Sequence, residues 1–177
     1  MPASPIRRLA IIGDGQMGLV MAHIAASQPF EPRVTLWCHD PEVASSLSQT
    51  RTSSRMPMIT LDESITVTGS AKAALERADL ILAAVPTQFV RSVWEGLAPA
   101  IREHTPGAGI VSVAKGIENS TLLRPTQVIS QCMGENDDRT TGVLSGPTIA
   151  SELARGLPAT MIAASDATLW AAIAALG

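Results

Sequence analysis

The chain contains no tyrosine, two phenylalanines and three tryptophans, so only 3% of it is aromatic against 46% hydrophobic. Its core must therefore be aliphatic, built from alanine, valine, isoleucine and leucine. It also lacks a basic excess: 13 lysines and arginines face 16 acids, for a net charge of −3. That excludes a nucleic-acid surface, which needs a basic stripe, and leaves phosphate recognition to backbone groups and one or two lysines. Two cysteines, Cys38 and Cys132, stand far apart with no C-x-x-C and no metal-ligand spacing, which excludes a metal site and a disulfide framework. They read as reduced packing residues of a cytoplasmic protein. No run of 18 apolar residues is present to span a membrane, and the opening MPASPIRR lacks the apolar core of a secretory leader. At 177 residues the chain has room for one good-sized domain, and it shows neither repeats nor a low-complexity linker.

What is there centres on residues 9–26, LAIIGDGQMGLVMAHIAA. An apolar run stops at Gly13, and Gly13-Asp14-Gly15-Gln16-Met17-Gly18 spells G-x-G-x-x-G before apolar residues resume at helical spacing. Strand, glycine turn, helix is the context that the dinucleotide fingerprint requires. Gly13 allows the tight turn, Gly15 lets backbone N–H groups approach a pyrophosphate, and Gly18 permits close helix–strand packing. The helix start adds unpaired N–H groups and partial positive charge.

Further strands are predicted at 33–37, 65–68, 79–85, 109–113, 141–144 and 159–164, interleaved with helices. Asp40 followed by Pro41 marks a helix start, Ser70 caps a helix through Arg77, and another helix lies within 125–133. A helix with Phe89, Val90, Val93, Trp94 and Leu97 on one face follows Pro86, and one runs from Ser145-Gly146-Pro147-Thr148 to Arg155. A last helix begins at Ala167 and carries the chain to Gly177. Residues 50–64 read as an irregular polar loop, and 136–139 as a surface turn. Alternating strands and helices predict an α/β fold with a doubly wound, mostly parallel, Rossmann-like sheet.

Ligands of such sheets bind outside the carboxyl ends of the strands. After the second strand, where a carboxylate would hold a ribose 2′-hydroxyl, stand Cys38 and His39, so both NAD and NADP remain open. Lys115 ends a hydrophobic strand and either snorkels to solvent or reaches into the crevice as a charge stabiliser. Ser145-Gly146-Pro147-Thr148 offers N–H groups and a hydroxyl at another helix start, with Thr148 as either ligand or cap.

Together GDGQMG, LWCHD, AVPTQ, VSVAKGIE and above all LSGPTIASELARGLPAT resemble the bacterial-type NAD(P)-dependent glycerol-3-phosphate dehydrogenases, from Ile6 to the chain end. The resemblance implies reduction of dihydroxyacetone phosphate to sn-glycerol 3-phosphate, which feeds phospholipid synthesis. It implies that Gly13, Gly15, Gln16, Met17, Gly18, His39, Lys115 and Ala150 contact NAD or NADP, and that Lys115, Gly146 and Thr148 contact the substrate. Asp14 and Met17 depart from the small and aromatic residues usual at those places, and Asp14 sets a negative charge beside the expected pyrophosphate. Family members carry a second, helical domain holding the lysine that acts as general acid/base, and the resemblance places that lysine beyond Gly177. No catalytic residue of that kind is expected within the 177 residues, which read as one NAD(P)-binding domain, inactive alone and homodimeric when full length. Two other classes share the glycine turn: a non-catalytic dinucleotide sensor, and other dehydrogenases with helical second domains. Neither accounts for Lys115 and SGPT at the strand ends.

Overall fold

The first strand, β1 (Arg8–Ile12), alternates its side chains between two cores, and the rest of the molecule is layered accordingly. Leu9 and Ile11 enter one cluster with helix α1 (Gln16–Ala26), whereas Ala10 and Ile12 enter the other. A period of two feeding two apolar clusters is what a sheet covered on both faces requires. The structure, a computed structural model, describes residues 6–134 and 137–165.

In chain order there follow β2 (Arg33–Trp37), α2 (Pro41–Thr50), β3 (Thr66–Thr68), α3 (Ala71–Leu75), β4 (Leu80–Ala83), α4 (Val90–His104) and β5 (Gly109–Ser112). After these come α5 (Pro125–Met133), β6 (Thr141–Ser145), α6 (Ala150–Leu153) and β7 (Ile162–Ala164). The strands pair in the order β3-β2-β1-β4-β5-β6-β7. Every position of β4 and β5 is buried, as expected of central parallel strands. The predicted helix starts hold: the Glu42 N–H donates to Asp40 Oδ1 at 2.8 Å, and the Ala73 N–H to Ser70 Oγ at 3.3 Å.

The sheet is mostly parallel, as predicted, and its last strand, β7, runs antiparallel to β6, with Leu144 opposite Ala163. Several other expectations are corrected. The helix expected through Arg77 stops at Leu75, and Arg77 adopts a left-handed φ of +57°. The helix expected through Arg155 ends at Leu153. Phe89 is 60% exposed and off the buried face of α4. Its N–H donates to Pro86 O at 2.8 Å, closing a 3₁₀ turn over Thr87–Phe89 that precedes α4 and breaks the helical spacing. The helix predicted from Ala167 to Gly177 and the turn residue Asn136 lie outside the described residues. The expected placing of the general acid/base lysine beyond Gly177 lies outside them too.

The polar loop of residues 51–64 is more ordered than its composition suggests. Met56, Ile59 and Leu61 are buried in the α1-side cluster. Arg51, with φ +59°, ends α2 and donates from Nε to Leu61 O at 3.3 Å and from Nη2 to Ile65 O at 2.9 Å. The loop is thereby pinned next to the glycine turn.

Candidate functional site

β1, β2, β4, β5 and β6 are mutually parallel, so the residues following each lie along one edge of the sheet. The chain leaves β1 for β2 on one side and later for β4 on the other, which makes the β1/β4 boundary the switch point where such sheets bind ligands. An open cleft of about 380 Å³ lies there, lined by Gly13, Gly15, Trp37, His39, Arg55 and Pro86 among others.

Packing demands two of the three motif glycines. Gly13 has φ +113°, and a Cβ on it would lie 2.7 Å from Ala84 O. A Cβ on Gly18 would fall 1.8 Å from Gly13 O, so α1 can sit this close to the turn only with glycine there. Gly15 differs: its missing Cβ points into open space, with nothing within 4 Å. No side chain caps α1 at Gly15. The 11-residue helix thus turns uncapped N–H groups and its positive end towards that space. This geometry fits a dinucleotide pyrophosphate.

Asp14 does not stand free in the turn. Its carboxylate pairs with the Arg55 guanidinium, which also donates to Asp14 O at 3.3 Å, and Gln16 Nε2 donates to Arg55 O at 3.0 Å. Sequence reasoning misses this contact, although the apolar residues Met56, Ile59 and Leu61 inside the polar loop signal that it folds back. Burial pushes the Cys38 thiol up to about 12, with Asp14 adding to the rise and Arg55 opposing it. Cys38 therefore stays a neutral packing residue. His39 is exposed and meets the Trp37 ring edge-on, with centroids 5.7 Å apart. Met17 is half-buried against the α1-side cluster that contains Ala150, so these two sit in packing beside the turn and outside the cleft lining.

Lys115 stands on the same edge, two strands from β1, and does not line that cleft. Its ammonium donates to Thr148 O at 2.8 Å and to Thr148 Oγ1 at 3.2 Å. Its own carbonyl accepts the Thr87 hydroxyl at 2.6 Å, which ties the loop after β4 to the loop after β5. Thr148 is therefore no helix cap; α6 begins at Ala150 with Ile149 ahead of it. Gly146 is held close to the returning chain, since a Cβ there would lie 2.4 Å from Thr160 O. Beyond Lys115, Glu118 is buried and takes two 2.8 Å hydrogen bonds from Arg91, besides one from Thr121 Oγ1. Those bonds hold the Glu118 carboxyl below the ordinary carboxylate range. They anchor the loop that carries the lysine.

An uncapped helix end behind a glycine turn, opening at the switch point of a mostly parallel sheet, defines a Rossmann-like nucleotide-binding domain. The chain belongs to the family described as NAD-dependent glycerol-3-phosphate dehydrogenase N-terminus, which it matches over residues 8–171. It is 42% identical over 166 residues to the glycerol-3-phosphate dehydrogenase [NAD(P)+] of Nocardia farcinica, covering 90% of this chain and 48% of that protein. With the corresponding Mycobacterium tuberculosis protein, named glycerol-3-phosphate dehydrogenase [NAD(P)+] 2, identity is 40% over 160 residues, or 89% of this chain and 46% of the relative. The crystal structure of glycerol-3-phosphate dehydrogenase from Coxiella burnetii superposes with a TM-score of 0.83 at 24% identity, over 97% of this chain and 51% of that one. The chain spans about half the length of the curated relatives it matches. Among the described residues no group of three or more His, Cys, Asp or Glu could hold a metal, and no helix is long and apolar enough to cross a membrane.

Proposed function

We propose that the chain is the nucleotide-binding part of an NAD(P)-dependent glycerol-3-phosphate dehydrogenase that reduces dihydroxyacetone phosphate to sn-glycerol 3-phosphate for phospholipid synthesis. The observation that carries the reading is the pairing, on one sheet edge, of an open glycine turn with a lysine whose ammonium is fixed by Thr148. Gly13, Gly15 and Gly18 with the backbone of Gln16 and Met17 would form the pyrophosphate cradle, His39 would flank the adenosine ribose, and Ala150 would contact the nucleotide from beside the turn. The nicotinamide, when bound, supplies the hydride. Lys115, with Gly146 and Thr148, binds and orients the phosphorylated substrate and polarises its carbonyl; these residues do not transfer the proton. In this reading the proton donor is a lysine of the second domain, beyond Gly177. Held by two oxygens of Thr148, the Lys115 ammonium needs no reorganisation when charge develops on the carbonyl oxygen. We place the enzyme in the cytoplasm, as a homodimer when full length.

The test separates the two halves of the edge. The 177-residue chain should bind NAD(P)H in a calorimetric titration and show no turnover of dihydroxyacetone phosphate. In the full-length protein, Lys115→Met should lower turnover by about 100-fold or more while nucleotide affinity stays within about threefold. Unchanged turnover in that variant would remove Lys115 from the reaction, and nucleotide binding without any turnover by the full-length wild type would favour a nucleotide sensor over an enzyme.

A further inference from the structure

Arg55 contributes the guanidinium in the lining of the cleft, and only one end of it is in use. Nη1 meets the Asp14 carboxylate and carbonyl, whereas Nε and Nη2 have no hydrogen-bond partner among the described residues. The Arg55 side chain is 52% exposed, against 12% for that of Asp14, and it lines the cleft. Its backbone does not drift. Met56, the next residue, is 2% exposed, the Arg55 carbonyl takes the Gln16 amide, and Arg51 pins the other end of the loop. At the end of β2 stand Cys38, neutral and buried, and His39, which lines the same cleft. Asp40, the nearest acid after β2, is turned to cap α2. No carboxylate is therefore aimed at the place where the second strand of such a sheet meets the adenosine ribose, the place where a carboxylate favours a free 2′-hydroxyl and a guanidinium favours a 2′-phosphate. The acid that would repel such a phosphate, Asp14, is the one that Arg55 neutralises.

We propose that Arg55 selects a 2′-phosphorylated dinucleotide, NADP(H), over NAD(H), holding Asp14 with one side of its guanidinium and the 2′-phosphate with the other. The proposal rests on the nucleotide-binding reading above and assigns the cofactor's adenosine end to the loop after α2. Asp14 is then a positioning residue: it orients the guanidinium and touches no ligand.

The test is calorimetric binding of NADPH, NADH, 2′,5′-ADP and ADP to the 177-residue chain and to Arg55→Gln. Wild type should bind NADPH and 2′,5′-ADP about tenfold or more tightly than NADH and ADP, the value of one charged hydrogen-bonding pair. Arg55→Gln should remove that preference; uncovering the Asp14 charge lowers all four affinities alike, so the readout is the ratio of NADPH to NADH and of 2′,5′-ADP to ADP, which should fall to about one. Should the variant fail to fold, the wild-type comparison of 2′,5′-ADP with ADP decides, because equal affinities overturn the proposal without any substitution. Weakening of all four ligands by Arg55→Gln with both ratios unchanged would make Arg55 a mere loop latch and also overturn it. Binding of none of the four by wild type would sink the nucleotide-binding reading itself, a different failure from binding without discrimination.

Discussion

Two turns on the same sheet edge share a recipe and do opposite things. The turn after β1 and the turn after β6 both pass from strand through glycine to helix, and both read in the sequence as places for an anion. In the first, an 11-residue helix presents uncapped N–H groups beside a glycine that leaves space open. In the second, the helix is four residues long, and the groups turned to the site are the Thr148 carbonyl and hydroxyl, which hold a cation. A strand–glycine–helix pattern therefore does not by itself fix the sign of what it binds. Helix length and the direction of the Thr148 carbonyl, one residue ahead of the Ile149 cap, decide it.

The sharpest way to break this comparison is to fill the glycines that both turns pack on backbone. Gly18→Ala puts a methyl into Gly13 O and should cost about 3 kcal/mol in urea unfolding, near the upper end for overpacking. Gly146→Ala meets Thr160 O less closely and should cost about 2 kcal/mol, because β7 lies at the sheet edge and can yield. If Gly146→Ala proves the costlier, the second turn is the more rigid of the two and the contrast is drawn the wrong way.

Gly15 sharpens the contrast inside the first turn. Gly15→Val has open room and should leave the unfolding midpoint nearly unchanged. It should weaken NAD(P)H binding about tenfold or more, roughly 1.4 kcal/mol, by filling the space the phosphates need. Nucleotide affinity equal to wild type would show that the ligand approaches from elsewhere.

Why the first turn is legible in the sequence and the second is not follows from where the information lies. β1, α1, β2 and the Asp40–Pro41 helix start carry local signals: an apolar run, three spaced glycines, a capping acid before proline. The sense of β7 has no local signal, since an edge strand pairs either way with the same alternation. Phe89 fits a helical face by spacing, but the Pro86 turn displaces it, and only the backbone hydrogen bond reveals that. The Asp14–Arg55 contact joins residues 41 apart in sequence through a loop whose composition is polar. Its few apolar residues are the sole hint. Lys115 can be placed on the ligand-binding edge from the sequence, because strand ends can be read. Its partner Thr148 stands out there too, but as a ligand or cap and not as the lysine's holder.

A smaller effect is expected where the second turn grips its lysine. Thr148→Val removes the hydroxyl acceptor 3.2 Å from the ammonium and keeps the carbonyl at 2.8 Å. Losing one such bond is worth about 1 kcal/mol, so Lys115 should react about fivefold faster with an amine-labelling reagent, while nucleotide binding at the first turn stays unchanged. An unaltered labelling rate would mean that the carbonyl alone fixes the ammonium.

The gentlest probe acts one step back, on the anchor of the Lys115 loop, and it is read through pH. Arg91 and then Thr121 lower the Glu118 carboxyl below its ordinary value of 4.5. A carboxylate whose folded-state value is depressed stabilises the fold fully above its unfolded-state value and loses that contribution as pH falls through the lower, folded-state one. Glu118→Gln should therefore lower the thermal midpoint at pH 7, and the gap to wild type should shrink only below pH 4.5, closing once the wild-type carboxyl is itself protonated. The first turn carries no such titrating anchor at Gly13, Gly15 or Gly18, so nucleotide affinity measured at pH 7 should be the same in both proteins. A gap that persists undiminished in strong acid would assign the loss to packing around position 118, and the Lys115 loop would then be held by shape and not by charge.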